Sequence, residues 1–369
     1  MLDGPCVMNG KTISHYRIVE KIGEGGMGIV YMAEDLRLKR RVAIKFLHQS
    51  ALDSERGIER LIREARAAAS LDHPNICPIY EIDECDGSTF IVMPCLDGET
   101  LRERMEKGPL SVDEALEIAI QIASGLKEAH EHSIVHRDIK PENIFLCKSG
   151  QVKIMDFGLA KTIESKGLTV PGLILGTVAY MSPEQAQGLE IDHRADLWSL
   201  GVILYECLTG KNPFESEYMQ AILYSITNED PESVAGLRDE VTEELEMVVE
   251  KLMAKRPEDR YQDAGEVIED LKMVKESIEA GEPGTLSQKW KGVRRKYFYR
   301  GAILYAAVTA VIITAVVVVF VNHPRNALSF AKRDWLLITT VENMTGEEIF
   351  EKVLNEAISI DIQQSKWVN

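Results

Sequence analysis

One stretch limits the folding of this chain more than any other: residues 301–321 contain no charge and no proline. A helix rises about 1.5 Å per residue, so the run reaches roughly 30 Å, the thickness of a bilayer's hydrocarbon core. A buried strand is the competing reading, because Val and Ile are frequent in the run. Strands average only about 5–6 residues, and the expectation is a single transmembrane helix. Lys289, Lys291, Arg294, Arg295, Lys296 and Arg300 precede it, whereas Arg325, Lys332 and Arg333 follow it. The cation excess before the helix predicts that residues 1–300 are cytoplasmic and that the C-terminus lies outside the cell (inner) membrane.

The charge of the preceding part narrows its partners. The formal net charge of the 369 residues is -17. Residues 1–280 carry 31 Lys and Arg against 51 Asp and Glu. Nucleic-acid binders need clustered cations against phosphate, so no nucleic-acid partner is expected. None of the 6 cysteines forms a C-x-x-C pair, which removes a zinc ribbon or a thioredoxin-type redox site. The first fifteen residues lack the basic and apolar regions of a secretory signal.

The pattern changes once along the cytoplasmic part. Residues 16–22, 28–34, 41–47, 79–84 and 89–94 read as short strands, interrupted by a helix over 54–70. After Gly98 the apolar spacing becomes helical. Ser111 and Glu114 form a capping box before Val112, Ala115, Leu116, Ala119 and Ile122 at the 3.6 period. Asp263 and Glu266 open a later helix in the same way. The reading is an α+β fold with a β-rich lobe, a larger helical lobe and a cleft between them.

Chemistry gathers at that cleft. Gly23, Gly25 and Gly28 let backbone approach a phosphate where side chains would clash. A dinucleotide fingerprint needs a helix to start there, but Ile29-Val30-Tyr31-Met32-Ala33 reads as a strand. A hairpin lying over phosphates fits better. Val42-Ala43-Ile44-Lys45 puts Ala43 and Lys45 on one strand face, and a cation there can hold phosphates. Glu64 is the first choice as its anionic partner, with Glu59 as the fallback. His136-Arg137-Asp138-Ile139-Lys140-Pro141-Glu142-Asn143 follows, and after 12 intervening residues comes Asp156-Phe157-Gly158.

With these motifs in this order, the chain resembles the eukaryotic-like (Hanks-type) bacterial serine/threonine protein kinases that carry a single transmembrane helix. The resemblance covers residues 16–275 and implies the bilobal protein-kinase fold. It divides the chain into an N-terminal extension (1–15), a kinase domain (N-lobe 16–95, C-lobe 96–275), a basic juxtamembrane linker (276–300), the membrane helix (301–321) and an extracytoplasmic segment (322–369). That last segment reads as the start of a larger domain.

The resemblance also implies roles. ATP and Mg²⁺ are the expected cofactors. Lys45 binds the α/β-phosphates and Glu64 orients it. Asp138 accepts the proton of the incoming hydroxyl, and Lys140 neutralises charge on the γ-phosphate. Asn143 and Asp156 hold the metal. Ile22, Gly23, Gly25, Gly28, Val30, Ala43, Met93, Pro94, Leu96 and Phe145 line the nucleotide site. Met93 stands as gatekeeper, Pro94 offers its carbonyl to adenine, and Leu96 offers its N–H. Proline keeps its carbonyl, so a Pro94 in place of the usual Glu preserves that contact.

Ser182-Pro183-Glu184 closes the activation segment, and Glu184 is expected to pair with Arg260. Asp196 is expected to support the catalytic-loop backbone. Thr177 and Lys140 match the Ser/Thr-specific pattern. Arg137 before the catalytic Asp calls for a phosphate at Thr169, Thr162 or Ser165. Protein substrates, autophosphorylation and a homodimer are the expected partnerships, in membrane-linked signalling. A catalytically silent pseudokinase scaffold is the alternative.

Overall fold

The computed structural model describes residues 9–25, 28–47, 55–85, 88–157 and 178–280. The expected membrane span at 301–321, its basic flank and the segment beyond it lie outside the described residues, as do Gly158, Thr162, Ser165, Thr169 and Thr177. Among the described residues no helix is long and apolar enough to cross a membrane.

A six-stranded antiparallel sheet comes first, in the order β1-β2-β3-β4-β6-β5. Its strands are β1 (Thr12–Ile13), β2 (Tyr16–Gly25), β3 (Gly28–Asp35), β4 (Arg40–Leu47), β5 (Glu81–Cys85) and β6 (Ser88–Pro94). The five strands read from the sequence are present, with ends displaced by up to three residues. β1 was not expected; it pairs with β2 and carries the sheet into the N-terminal extension.

Strand alternation sorts the two faces of this sheet. Tyr31, Ala33, Val42, Ile44, Phe46, Phe90 and Val92 form one apolar cluster with Ile13, Tyr16 and Ile18. The register sets Val30 opposite Lys45 and Ala43 opposite Met93. Those four residues therefore occupy the other face. α1 (Glu55–Ala69) follows β4, matching the helix expected over 54–70.

The second lobe opens with a small sheet of β7 (Gly98–Thr100), β8 (Ile144–Cys147) and β9 (Val152–Ile154). Between β7 and β8 lie α2 (Leu101–Met105) and α3 (Val112–Glu131). Half of the expected capping box is made at α3. The Ser111 hydroxyl accepts the Glu114 N–H, but the Glu114 carboxylate takes a bidentate bond from Arg104. After β9 come α4 (Pro183–Ala186), α5 (Arg194–Thr209), α6 (Met219–Asn228), α7 (Val234–Leu237), α8 (Glu243–Leu252) and α9 (Ala264–Ala280). The Asp263 carboxylate accepts the Glu266 N–H at the start of α9.

α5 is the axis of this lobe. Every residue from Ala195 to Leu208 is buried, as expected of a helix surrounded by others. Gly201 makes this packing possible, because a Cβ there would meet the Leu252 Cβ at 2.7 Å. The N-terminal end of α5 carries Asp196 beneath the loop that joins α3 to β8.

Candidate active site

Lys45 is only 7% exposed. A buried ammonium needs an anion at contact distance. Asp156 supplies it, with its Oδ2 2.6 Å from the Lys45 Nζ. The sequence assigned Asp156 to the metal and did not anticipate this contact with Lys45. Glu64 lies on α1 and is half-buried.

Asp156 follows β9 and has a φ of 59°, in the left-handed region that is uncommon for a side-chain-bearing residue. Neighbouring bonds hold it there. The Met155 N–H donates to the Asn143 carbonyl at 2.8 Å, and the His136 ring bonds the Met155 carbonyl at 2.8 Å. The Asp138 N–H donates to His136 Nδ1, so the ring's hydrogen sits on Nε2. The Phe157 ring packs edge-on against His136 at 4.6 Å between centroids.

The loop between α3 and β8 brings Asp138, Lys140 and Asn143 together. Lys140 Nζ lies 2.9 Å from Asp138 Oδ2. The Asn143 amide donates to the same oxygen at 3.1 Å and to the Asp138 carbonyl at 2.8 Å. Both donors converge on Oδ2. Among the described residues no donor is seen at Oδ1.

Three further groups fix this loop. Arg137 has a φ of 68°, a strained conformation that persists only when its surroundings impose it. Its N–H donates to Asp196 Oδ1 at 2.7 Å, and the His136 N–H donates to Asp196 Oδ2 at 2.8 Å. The Gln185 amide donates to the Arg137 carbonyl at 2.9 Å. Burial alone would raise the Asp196 carboxyl. The His130 hydrogen bond, with His130 and His136 nearby, holds it below the usual carboxylate range instead. The expected support by Asp196 is thus present, and Glu184 and Arg260 form the expected pair, bidentate at 2.7 Å and buried.

Sequence reading did not single out Gln185 or His130. Gln185 had a signal: it closes a capping box that begins at Ser182. His130 had none, because its role depends on a contact across the fold.

The nucleotide-site residues divide into three groups. Val30, Ala43, Lys45 and Met93 share one sheet face, and Pro94 stands opposite Val42 at the end of β6. Leu96 follows that strand. Ile22 falls at a register shift in β2 and is 50% exposed, whereas Phe145 lies on the separate small sheet. The glycines differ among themselves. A Cβ at Gly25 would meet nothing within 4 Å, and one at Gly23 would meet only Val30 at 3.9 Å. Both leave open space over the sheet. A Cβ at Gly28 would lie 1.9 Å from the Phe46 carbonyl oxygen. Gly28 is therefore demanded by the close pairing of β3 and β4.

This donor set fits ATP with a hard divalent cation. No cluster of three His, Cys, Asp or Glu that could hold a metal occurs among the described residues. One carboxylate, Asp156, and one amide oxygen, Asn143, are on offer, because the Asn143 nitrogen already serves Asp138. A cation that retains water and completes its shell with substrate phosphates suits such a sparse set.

Comparison with known proteins agrees with this geometry. The protein kinase domain family matches residues 16–271. The serine/threonine-protein kinase PrkC of Bacillus subtilis is 42% identical over 257 residues, which cover 69% of this chain and 40% of that protein. PknB of Mycolicibacterium smegmatis is 41% identical over 256 residues, covering 68% and 41%. The chain thus spans about two fifths of the length of the curated relatives it matches. The crystal structure of the Mycobacterium tuberculosis PknI kinase domain superposes with a TM-score of 0.58 at 26% identity, covering 71% of this chain and 97% of that one. With the lysine strand joined to Asp156, the catalytic loop assembled around Asp138 and this likeness in both sequence and fold, the chain belongs to the protein kinase family.

Proposed function

We propose that the chain transfers the γ-phosphate of ATP to serine and threonine hydroxyls of proteins, itself included. The single observation that carries this reading is the Asp138 carboxylate. Lys140 and Asn143 hold its Oδ2, while Oδ1 stays available to an incoming hydroxyl. In the reaction the acceptor oxygen forms a bond to the γ-phosphorus as the bond to the bridging β–γ oxygen breaks. The hydroxyl proton passes to Asp138 Oδ1, and ADP leaves with the electron pair.

Phosphoryl transfer needs positioning and charge neutralisation more than covalent help. Lys45 binds the α/β-phosphates once its pairing with Asp156 opens. Asp156 and Asn143 hold the Mg²⁺, which screens the negative charge of the phosphates. Lys140 offsets charge on the transferred group. Gly23 and Gly25 give the phosphates room under the hairpin.

The same reading extends to the membrane. Residues 301–321 form a single transmembrane helix, with the kinase domain on the cytoplasmic side and the C-terminus outside. What supports this is the uncharged run and the cation excess before it. Homodimerisation through such an anchored chain would bring two catalytic domains together for autophosphorylation on Thr169, Thr162 or Ser165.

Two measurements test the proposal. Phosphoamino-acid analysis after incubation with labelled ATP and Mg²⁺ should give phosphoserine and phosphothreonine. Nucleotide binding without any transfer would favour the pseudokinase scaffold. Protease treatment of sealed inverted inner-membrane vesicles should digest the kinase domain and spare the C-terminal segment. Release of the intact chain by salt washing would contradict the anchor.

A further inference from the structure

Asp196 holds two backbone amides of the catalytic loop, and its third donor comes from a side chain outside the motifs. His130, on α3, donates from Nε2 to Asp196 Oδ2 at 2.9 Å. A carboxylate only accepts, so Nε2 carries the hydrogen. The ring is 8% exposed, and its Nδ1 is buried with no hydrogen-bond partner among the described residues. The neighbouring His193 ring, 5.3 Å away and edge-on, donates to the Gln262 carbonyl instead. A buried ring nitrogen without a partner costs free energy. Among the described residues the only hydrogen bond of the His130 ring is the one to Asp196, and the cost is tolerated there.

What that bond controls lies one step away. His130 and the His136 N–H share Oδ2, while the Arg137 N–H takes Oδ1. A carboxylate held at both oxygens cannot turn about its Cβ–Cγ bond without breaking several bonds at once. Without the His130 donor each oxygen keeps a single backbone bond, so the carboxylate is held less firmly and both amides loosen together. Arg137, held in the left-handed region at φ 68°, directly precedes Asp138. Relaxation of Arg137 therefore redirects the Asp138 carboxylate.

We propose that His130 is a positioning residue for phosphoryl transfer: its Nε2–H locks the Asp196 carboxylate, which imposes the Arg137 turn that aims Asp138. This deepens the kinase reading given above and rests on it.

Two variants of the full chain separate the donor from the bulk of the ring. His130→Gln keeps an N–H at the reach of Nε2, and His130→Leu keeps apolar volume without a donor. In labelled-ATP transfer, His130→Leu should lower kcat about tenfold or more, the size expected for one charge-assisted hydrogen bond. The KM for ATP should stay within about twofold, and His130→Gln should recover most of the lost kcat. Amide hydrogen exchange at His136 and Arg137 gives a readout that needs no activity. Exchange should quicken about tenfold in His130→Leu and return towards the wild-type rate in His130→Gln.

Equal losses in the two variants would assign His130 to packing and overturn the proposal. So would wild-type exchange and kcat in His130→Leu. If the wild-type chain transfers no phosphate, the kinase reading fails by itself, and the exchange pattern still decides whether His130 holds the loop. Should His130→Leu not fold, His130→Asn, whose amide is too short to reach Asp196, replaces it.

Discussion

The Lys45 ammonium and the Asp156 carboxylate, 111 residues apart in sequence, lie 2.6 Å from each other. Two groups assigned to different parts of the reaction, one to phosphate and one to metal, thus neutralise each other across the cleft. In the proposed reaction each group gains a new partner of opposite charge when nucleotide and its cation bind.

The pair is therefore a stability element in the nucleotide-free chain. Asp156→Asn leaves a nearly buried ammonium without its anion, which costs about 3–5 kcal/mol when a buried pair is broken from one side. Urea unfolding in the absence of nucleotide should show a loss of that order. A loss below about 1 kcal/mol would mean that water already screens the pair.

Glu184 and Arg260 allow a second test of the same physics away from the chemistry. Arg260 also donates to the Ala254, Arg194 and Lys255 carbonyls, so it brings the segment before α9 to α5 as well as to α4. Glu184→Ala strands a fully buried guanidinium and should destabilise by about 3–5 kcal/mol. Glu184→Gln, which keeps one acceptor, should lose less. Equal losses, read from denaturant midpoints, would contradict a charge-based role.

Glycines of one motif should respond differently. Gly28→Ala drives a methyl into the Phe46 carbonyl and should destabilise by about 1–3 kcal/mol through strand displacement. Gly25→Ala meets nothing in the protein; its melting temperature should hold while the KM for ATP rises. A Gly25→Ala chain with normal KM would remove the phosphate role of that position.

Asp196 sets a pH dependence. Its folded carboxyl is held below the ordinary value by His130 and His136, and an unfolded Asp titrates near 3.9. A depressed folded value contributes stability that is fully present above about pH 4 and is lost as pH falls through the lower folded value. The stability gap between wild type and Asp196→Asn should be full at pH 7 and shrink below about pH 4. A gap independent of pH would show that the ionised form is not the one that matters.

Much of this was legible in the residues, for reasons that differ by element. The five sheet strands showed because alternation and glycine or charged turns mark them locally, and the same alternation put Ala43 and Lys45 on one face. β1 was missed because two residues carry no period. Asp138, Lys140 and Asn143 showed because they lie within six residues of each other. The contact of Lys45 with Asp156 did not, because the two come from segments 111 residues apart and only the fold brings them together. Glu114 was read as half of a reciprocal cap, but Arg104, ten residues earlier, is the stronger competitor for its carboxylate. His130 stayed silent because its meaning is a distance across the fold.

The most direct measurement is phosphate transfer from labelled ATP with Mg²⁺ to a generic acceptor protein and to the chain itself, comparing wild type with Asp138→Asn and Lys45→Ala. The account predicts label on serine and threonine in the wild type. It predicts a fall of at least about 10²-fold in Asp138→Asn, the size of a lost general base, and loss of transfer in Lys45→Ala. Transfer by Asp138→Asn at the wild-type rate would contradict the account.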